Sequence, residues 1–284
     1  IRMRHEMIKY IDKVPSLPRM LAKKGYVSHQ SGKWWEGNFR RGGFTHGMTK
    51  GFPNPGGRHG DAGLAIGRQG MQPLFEFIDS ADKKPFFIYY APFLPHTPHT
   101  PPKRLLDKYR SKTDSLFVAK YWAMCEWFDE SVGELLDYLD RKNLADNTLV
   151  VFVSDNGYIP LPTGGPDTAR SKSSPFDAGI RTPIMLRWPE RIQPGRDDRT
   201  LVSSVDLAPT ILAACGLKTS EEMPGLNLLD TQATAVRKSI FGAIFTHVAR
   251  DIDDPASSLK YRWGIEGRWK LIVPCATNVP ESEI

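Results

Sequence analysis

The sequence lacks the long apolar runs and the cysteine patterns that mark several common classes of protein. No stretch of its 284 residues approaches the roughly 18 consecutive apolar residues of a membrane helix, so no membrane span is predicted. Its few cysteines, Cys125, Cys215 and Cys275, are far apart and odd in number. They form neither a C-x-x-C metal motif nor a disulfide framework.

Basic charge is not concentrated anywhere along the chain. The formal net charge is +6, but lysines and arginines are mostly interleaved with acidic residues, as in residues 196–199. Nucleic-acid-binding proteins usually gather their basic residues in one stripe, so no nucleic-acid partner is predicted. The excess of positive charge would either attract anionic substrates weakly or only keep the surface well solvated. The 40% hydrophobic and 25% charged residues are typical of a globular protein.

Short apolar runs alternate with helical patterns along most of the chain. Residues 26–30, 86–90 and 149–153 predict strands, and the last of these is an unbroken apolar run that suits a strand buried on both faces of a parallel sheet. Apolar residues recur every three or four positions over residues 118–139, which predicts one long amphipathic helix. This alternation predicts an α/β fold with a mixed, largely parallel sheet sandwiched by helices.

The C-terminal part of the chain has a different pattern. Residues 239–246 predict a strand, and residues 261–265 with 269–273 predict a hairpin. These strands would begin a small antiparallel unit. The predicted domains are therefore an α/β core at residues 1–233 and an antiparallel subdomain at residues 234–284.

The string SDNG at residues 154–157 ends the third predicted strand. Open α/β sheets place ligands where their strands end. Asp155 and Asn156 offer hard oxygens, which suit Ca²⁺ or Mg²⁺ better than a soft metal, although an ion that takes about six to eight ligands needs more than two. Further along, Lys172 lies in the string KSSPFDAGIRTP, and a lysine in such a loop can bind a tetrahedral oxyanion as a point charge.

Two other strings place basic side chains after predicted strands. SGKWWEG puts Lys33 in a loop, as either an anion ligand or a solvated surface lysine, and Trp35 beside it could pack or contact a sugar. In PHTP, prolines fix the backbone around His96 and reduce the entropy lost in positioning its imidazole. A zinc site on His96 and His99 is disfavoured, because no further ligand lies nearby in the sequence.

Residues 40–61 form a segment dense in glycine. It is not a dinucleotide fingerprint, because no strand precedes a G-x-G-x-x-G string and no helix follows one. A long irregular loop in a compact domain is often functional. Arg58 and His59 are therefore candidates for substrate contacts or for carrying a proton, and a surface excursion with turn glycines is the alternative.

Together, these strings resemble the core of the sulfatase family, within the alkaline phosphatase-like superfamily. That family has G-K-W-H-x-G and P-H-T-P strings, then a strand ending in D-N-G, a lysine and a [DE]-x-G-x-R-x-P string. The resemblance implies hydrolysis of a sulfate ester of a carbohydrate or a related compound, and a periplasmic or secreted location. It also implies Ca²⁺, favoured over Mg²⁺, held partly by Asp155 and Asn156, with Lys33 and Lys172 stabilising sulfuryl oxygens and His96 with Lys172 assisting the departing alkoxide.

The sequence departs from the family pattern in its proton-transfer and nucleophile residues. Trp35 replaces a family histidine, and an indole cannot move a proton at neutral pH. No C/S-x-P-x-R string, the source of the family's formylglycine nucleophile, occurs in the chain. We therefore expect a fragment of a longer enzyme with its nucleophile outside this chain. The alternatives are a catalytically silent protein that binds sulfated glycans, and a phosphate or phosphonate ester hydrolase of the same superfamily.

Overall fold

The computed structural model describes residues 2–51 and 62–275. The chain divides into two compact units, Ile1–Ala145 and Asp146–Ile284. The boundary expected after residue 233 separates an α/β core from an antiparallel subdomain, whereas the division at residue 145 separates compact units. The expected boundary therefore stays a prediction.

The first unit contains a parallel sheet. It consists of β1 (Val27–Gly32), β2 (His46–Gly47) and β3 (Phe86–Ala91), in the order β2-β1-β3. Both neighbours run parallel to β1, and the β1–β3 pairing extends from Val27↔Phe86 to Gly32↔Ala91. This confirms the strands predicted near residues 26–30 and 86–90. The carboxyl ends of parallel strands lie at the same edge of a sheet, which positions the loops that follow them.

Helices and a small apolar core accompany this sheet. Ile66, Met71 and Leu74 are buried together, and partly buried Ile88 and Leu135 pack against them. The long helix predicted over residues 118–139 is present, and the side chain of Ser115 accepts a hydrogen bond from the Val118 N–H at its start. No helix in the described part of the chain has both the length and the apolar content needed to cross a bilayer. The helices are α1 (Arg2–Tyr10), α2 (Leu17–Ala22), α3 (Ala62–Ala65), α4 (Gln72–Ser80), α5 (Lys103–Arg110) and α6 (Leu116–Arg141).

The second unit begins with a strand whose environment differs from the prediction. β4 (Val150–Val153) pairs antiparallel with β5 (Ile184–Arg187), and the side chain of Val153 is 39% exposed. The expectation of a strand buried on both faces of a parallel sheet was therefore wrong. An apolar run indicates a strand, but it does not specify which partner pairs with it or in which direction. The helices of this unit are α7 (Asp177–Ile180), α8 (Leu207–Ala214) and α9 (Thr231–Ala235).

An antiparallel sheet ends the described chain. It contains β6 (Ser239–Phe245), β7 (Leu259–Glu266) and β8 (Trp269–Pro274), with β7 in the middle. This sheet confirms the predicted strand and hairpin. Together with the parallel sheet of the first unit, it gives the mixed α/β fold expected from the sequence.

Candidate active site

The first candidate site residues lie where β1 and β3 end side by side. Gly32 and Ala91 are register partners, and the backbone N–H of Lys33 donates a hydrogen bond of 2.5 Å to the Ala91 carbonyl. Gly32 has a φ of +82°, and a Cβ at this position would lie 1.8 Å from the Ala91 carbonyl oxygen. Only glycine fits here. The segment carrying Lys33 and the loop that begins at Pro92 therefore leave the same edge of the sheet.

The two tryptophans that follow Lys33 have different surroundings. Trp34 packs edge-on against Phe44 and Tyr89, with ring centroids 5.4 and 6.1 Å away. The Lys33 Nζ lies 6.0 Å from the ring centroid of Trp35, within reach of a weak cation–π contact. Trp34 is thus a packing residue, whereas Trp35 flanks the candidate anion ligand.

His96 is exposed, and one of its ring nitrogens is engaged locally. Its Nδ1 lies 2.9 Å from the Thr97 carbonyl oxygen and 3.3 Å from the Thr97 hydroxyl. A carbonyl oxygen only accepts, so this geometry assigns the proton of the neutral ring to Nδ1 and leaves Nε2 as the nitrogen that can exchange a proton with a ligand. The edge of the ring packs against Phe93, with centroids 5.3 Å apart.

Arg68, which the sequence did not single out, holds the backbone of the His96 loop. One terminal nitrogen donates to the carbonyls of Phe93 and His96 at 2.6 and 3.0 Å. The other donates to the Pro98 carbonyl at 3.2 Å and to the Thr100 hydroxyl at 3.1 Å. Burial lowers the pKa of Arg68. No motif marks this residue, because its partners are distant in sequence and three of them are carbonyl groups.

His99 belongs to the same loop but is half-buried. Burial lowers its pKa, a backbone hydrogen bond at Pro95 raises it, and the nearby charges of His96, Arg68 and Lys120 lower it further. Within residues 2–51 and 62–275, no three His, Cys, Asp or Glu side chains gather as a metal site.

In the second unit, the SDNG string forms a bend after β4. The Ser154 hydroxyl donates to the Asn156 carbonyl at 3.0 Å, and the Asn156 side-chain nitrogen donates to the Gly157 carbonyl at 3.0 Å. The side-chain nitrogen of Asn156 is therefore bonded to the backbone, and its side-chain oxygen can face another partner. The Asp155 side chain is exposed. The two oxygens are of the kind that Ca²⁺ prefers, but they are only part of a set of about six to eight.

The turn that carries Lys172 and the bend formed by the SDNG string both contact α7. The Gly157 N–H donates to the Gly179 carbonyl in α7 at 2.9 Å. A Cβ on Gly179 would lie 2.3 Å from the carbonyl oxygen of Ser171, the residue before Lys172. These backbone contacts join the predicted metal-ligand bend, α7 and the predicted anion-binding lysine within one local structure.

A cavity of 460 Å³ lies beside α7 and was not foreseen from the sequence. Asp177 in its wall pairs with Lys270 at 2.8 Å, while Arg170 and half-exposed Phe176 add a cation and an aromatic face. The cavity is lined by Ile159, Arg170, Phe176, Asp177 and Ala178.

Arg58 and His59, the candidates from the glycine-dense segment, lie outside the described residues.

Solved structures identify the class of fold. BT4656, solved in complex with its substrate D-glucosamine-2-N,6-O-disulfate, matches with a TM-score of 0.67 at 18% identity, over 92% of this chain and 73% of that chain. The chain thus shares the α/β fold of that structure.

Sequence comparison identifies the family. The Sulfatase model matches residues 3–217, and the model of the N-sulphoglucosamine sulphohydrolase C-terminal part matches residues 171–274. The chain belongs to the sulfatase family, as the resemblance implied. N-Acetylgalactosamine-6-sulfatase of Homo sapiens is 30% identical over 259 residues, covering 76% of this chain and 48% of that protein. Endo-4-O-sulfatase of Bacteroides thetaiotaomicron is 31% identical over 188 residues, covering 64% and 35%. The chain therefore spans about half the length of the first relative and less of the second.

Proposed function

We propose that this chain is part of a sulfuric ester hydrolase that acts on a sulfated carbohydrate, with its nucleophile outside these 284 residues. The observation that carries the proposal is that Lys33 and the His96 loop leave one edge of the β1–β3 sheet in a member of the sulfatase family. The names of its relatives, which include an N-acetylgalactosamine-6-sulfatase and an endo-4-O-sulfatase, support the class of substrate.

Each candidate residue has a role in this proposal. Lys33 and Lys172 stabilise the charge on the sulfuryl oxygens, because a fixed ammonium lowers the energy of an oxyanion. When both ring nitrogens of His96 are protonated, Nδ1–H keeps its bond to the Thr97 carbonyl and Nε2, with Lys172, gives its proton to the departing alkoxide. Trp35 contacts the sugar beside Lys33, and Arg58 and His59 supply further substrate contacts.

The proposal includes a divalent cation. Asp155 and Asn156 supply two hard oxygens to Ca²⁺, or less favourably to Mg²⁺, with the other ligands coming from elsewhere. When bound, such an ion polarises an oxygen of the sulfate group. The chemistry of the two donors supports this assignment, and Asn156 suits it because its amide nitrogen is already engaged by the backbone.

The first test concerns the reaction and uses the full-length protein. We expect a higher kcat/KM for an aryl sulfate than for the matching aryl phosphate, and a loss of about 100-fold in the Lys33→Ala variant. Lys84→Ala, at an exposed position away from the site, should keep wild-type turnover. Faster phosphate turnover would favour a phosphate ester hydrolase. Binding of a sulfated glycan without turnover would favour a silent protein, the hypothesis that Trp35 in place of the family histidine supports.

The second test concerns the cation. A ligand that binds only the folded state stabilises it, so Ca²⁺ should raise the midpoint of thermal unfolding of the full-length protein. We expect Asp155→Asn to raise the Ca²⁺ concentration needed for half of this shift at least about tenfold, because a charged oxygen ligand is lost. Asp146→Asn, an exposed control at the other end of β4, should leave the shift unchanged. An unaltered Ca²⁺ response in Asp155→Asn would contradict the metal role.

A further inference from the structure

Packed residues surround Arg68 at its backbone and at its guanidinium group. It lies between Ile66 and Met71, which are both buried in the apolar core of the first unit. Its guanidinium carbon lies 5.8 Å from the ring centroid of Trp127 on α6. The backbone on either side of Arg68 is therefore held in the core, its head group lies beside an aromatic ring of α6, and its terminal nitrogens donate to the loop.

The four acceptors of Arg68 cover nearly the whole loop. They lie on Phe93, His96, Pro98 and Thr100, and the contact to the His96 carbonyl fixes the backbone of the residue whose imidazole faces solvent. A guanidinium offers its donors in a rigid planar fork, so it can satisfy separate carbonyls with one fixed geometry. A lysine ammonium is a point charge and cannot bridge the same set.

We propose that Arg68 is a positioning residue for His96, which sets the location and orientation of the imidazole by holding the carbonyls around it. The proposal rests on the proposed function, since it assigns to His96 the transfer of a proton to the leaving group. Arg68 is not a substrate ligand, because its terminal nitrogens donate to the loop. A catalytic imidazole must be placed closely, and misplacement by about 1 Å can cost about 100-fold in rate.

The test compares two sulfate esters in the full-length protein. A sugar sulfate has a poor leaving group that needs a proton, whereas an aryl sulfate with a strongly acidic phenol does not. We expect Arg68→Met to lower kcat about 100-fold on the sugar sulfate and little on the aryl sulfate, with KM nearly unchanged. His96→Gln should show the same contrast, and Arg68→Lys should fail to restore the rate.

Arg19→Met is the matched control. Arg19 also donates to backbone carbonyls, those of Ile11 and Val14 at 2.7 and 2.8 Å, but none of its contacts lies in the His96 loop. Its loss should lower stability and leave both turnover numbers unchanged. An equal loss on both esters in Arg68→Met would overturn the proposal in favour of a purely structural role. A change in KM alone would overturn it in favour of substrate binding.

An NMR measurement separates this proposal from the proposed function. The His96 ring signals should be single and sharp in the wild type and in Arg19→Met, and shifted or split in Arg68→Met, because the loop loses its common anchor. If the wild type hydrolyses neither ester, the proposed function fails, while the ring signals still decide whether Arg68 positions His96. Unchanged His96 signals in Arg68→Met would overturn the positioning role.

Discussion

Gly32→Ala should lower the free energy of unfolding by about 3–5 kcal/mol, because it combines backbone strain with a clash where β1 and β3 end side by side. The φ of +82° is unfavourable for any residue with a Cβ, and that Cβ would lie 1.8 Å from the Ala91 oxygen and 2.3 Å from the Ala91 carbonyl carbon. Both atoms are backbone. They can move only if β1 and β3 separate at the edge where Lys33 emerges. Urea unfolding of the purified protein measures the loss.

Gly25→Ala is the control that isolates the clash. Gly25 has nearly the same φ, +80°, but a Cβ there meets nothing within 4 Å. Gly25→Ala should therefore lower the free energy of unfolding by about 1–2 kcal/mol, which is the cost of the left-handed backbone alone. Equal losses in the two variants would show that the edge of the sheet accommodates a side chain, and the close packing of β1 and β3 before Lys33 would then be in doubt.

Much of the first unit followed from local pattern. The apolar runs of β1 and β3 and the period of α6 are strong signals, and the parallel pairing then placed the Lys33 and His96 segments at one edge. An apolar run alone does not fix the direction of pairing, because the same kind of pattern belongs to β4, which pairs antiparallel with β5. Apolar content indicates that a strand will form, while its partner and its burial depend on contacts distant in sequence.

Arg68 shows why part of a site escapes sequence reasoning. Motif reasoning finds residues whose own chemistry is distinctive, such as the proline-flanked His96. Arg68 acts through carbonyl groups, which every residue has, and its partners lie 25 to 32 positions away. Asp206 is an intermediate case. It is the third residue of a short 3-10 helix, Ser204–Asp206, and completes a local capping box in which the Ser203 N–H donates to its carboxylate at 2.8 Å.

The chain gives no local hint of the ion pair that Asp206 makes with Arg237. The carboxylate is fully buried and accepts hydrogen bonds of 2.6 and 2.7 Å from both terminal nitrogens of Arg237 and one of 2.8 Å from the Leu226 N–H. It thereby ties three separate segments of the second unit together. Burial raises the pKa of Asp206, but the hydrogen bonds from Arg237, Leu226 and Ser203 outweigh it and hold the pKa below its ordinary value.

Asp206→Ala should therefore lower the free energy of unfolding by about 3–5 kcal/mol, because it leaves the Arg237 guanidinium buried without its partner. Asp107→Ala removes an equally short but exposed ion pair with Lys103 and should change stability little, since water screens it. Replacing both partners, as in Asp206→Leu with Arg237→Met, should recover part of the loss, because no charge is then left unpaired, while the Leu226 and Ser203 N–H groups still lose their acceptor. Urea unfolding at neutral pH compares the variants, and a loss in Asp206→Ala no larger than in Asp107→Ala would contradict the buried pair.

The same carboxylate should give the protein an acid-sensitive stability. Its folded pKa is depressed, so its stabilising contribution is complete above the unfolded pKa of about 3.9 and is lost as the pH falls through that value towards the folded pKa. The free energy of unfolding of the wild type should fall over this range more steeply than that of Asp206→Asn, which cannot titrate there. Urea unfolding at a series of pH values measures both slopes. Parallel slopes would show that the bonds to Arg237, Leu226 and Ser203 do not favour the ionised form, because only a difference between folded and unfolded proton affinity links pH to stability.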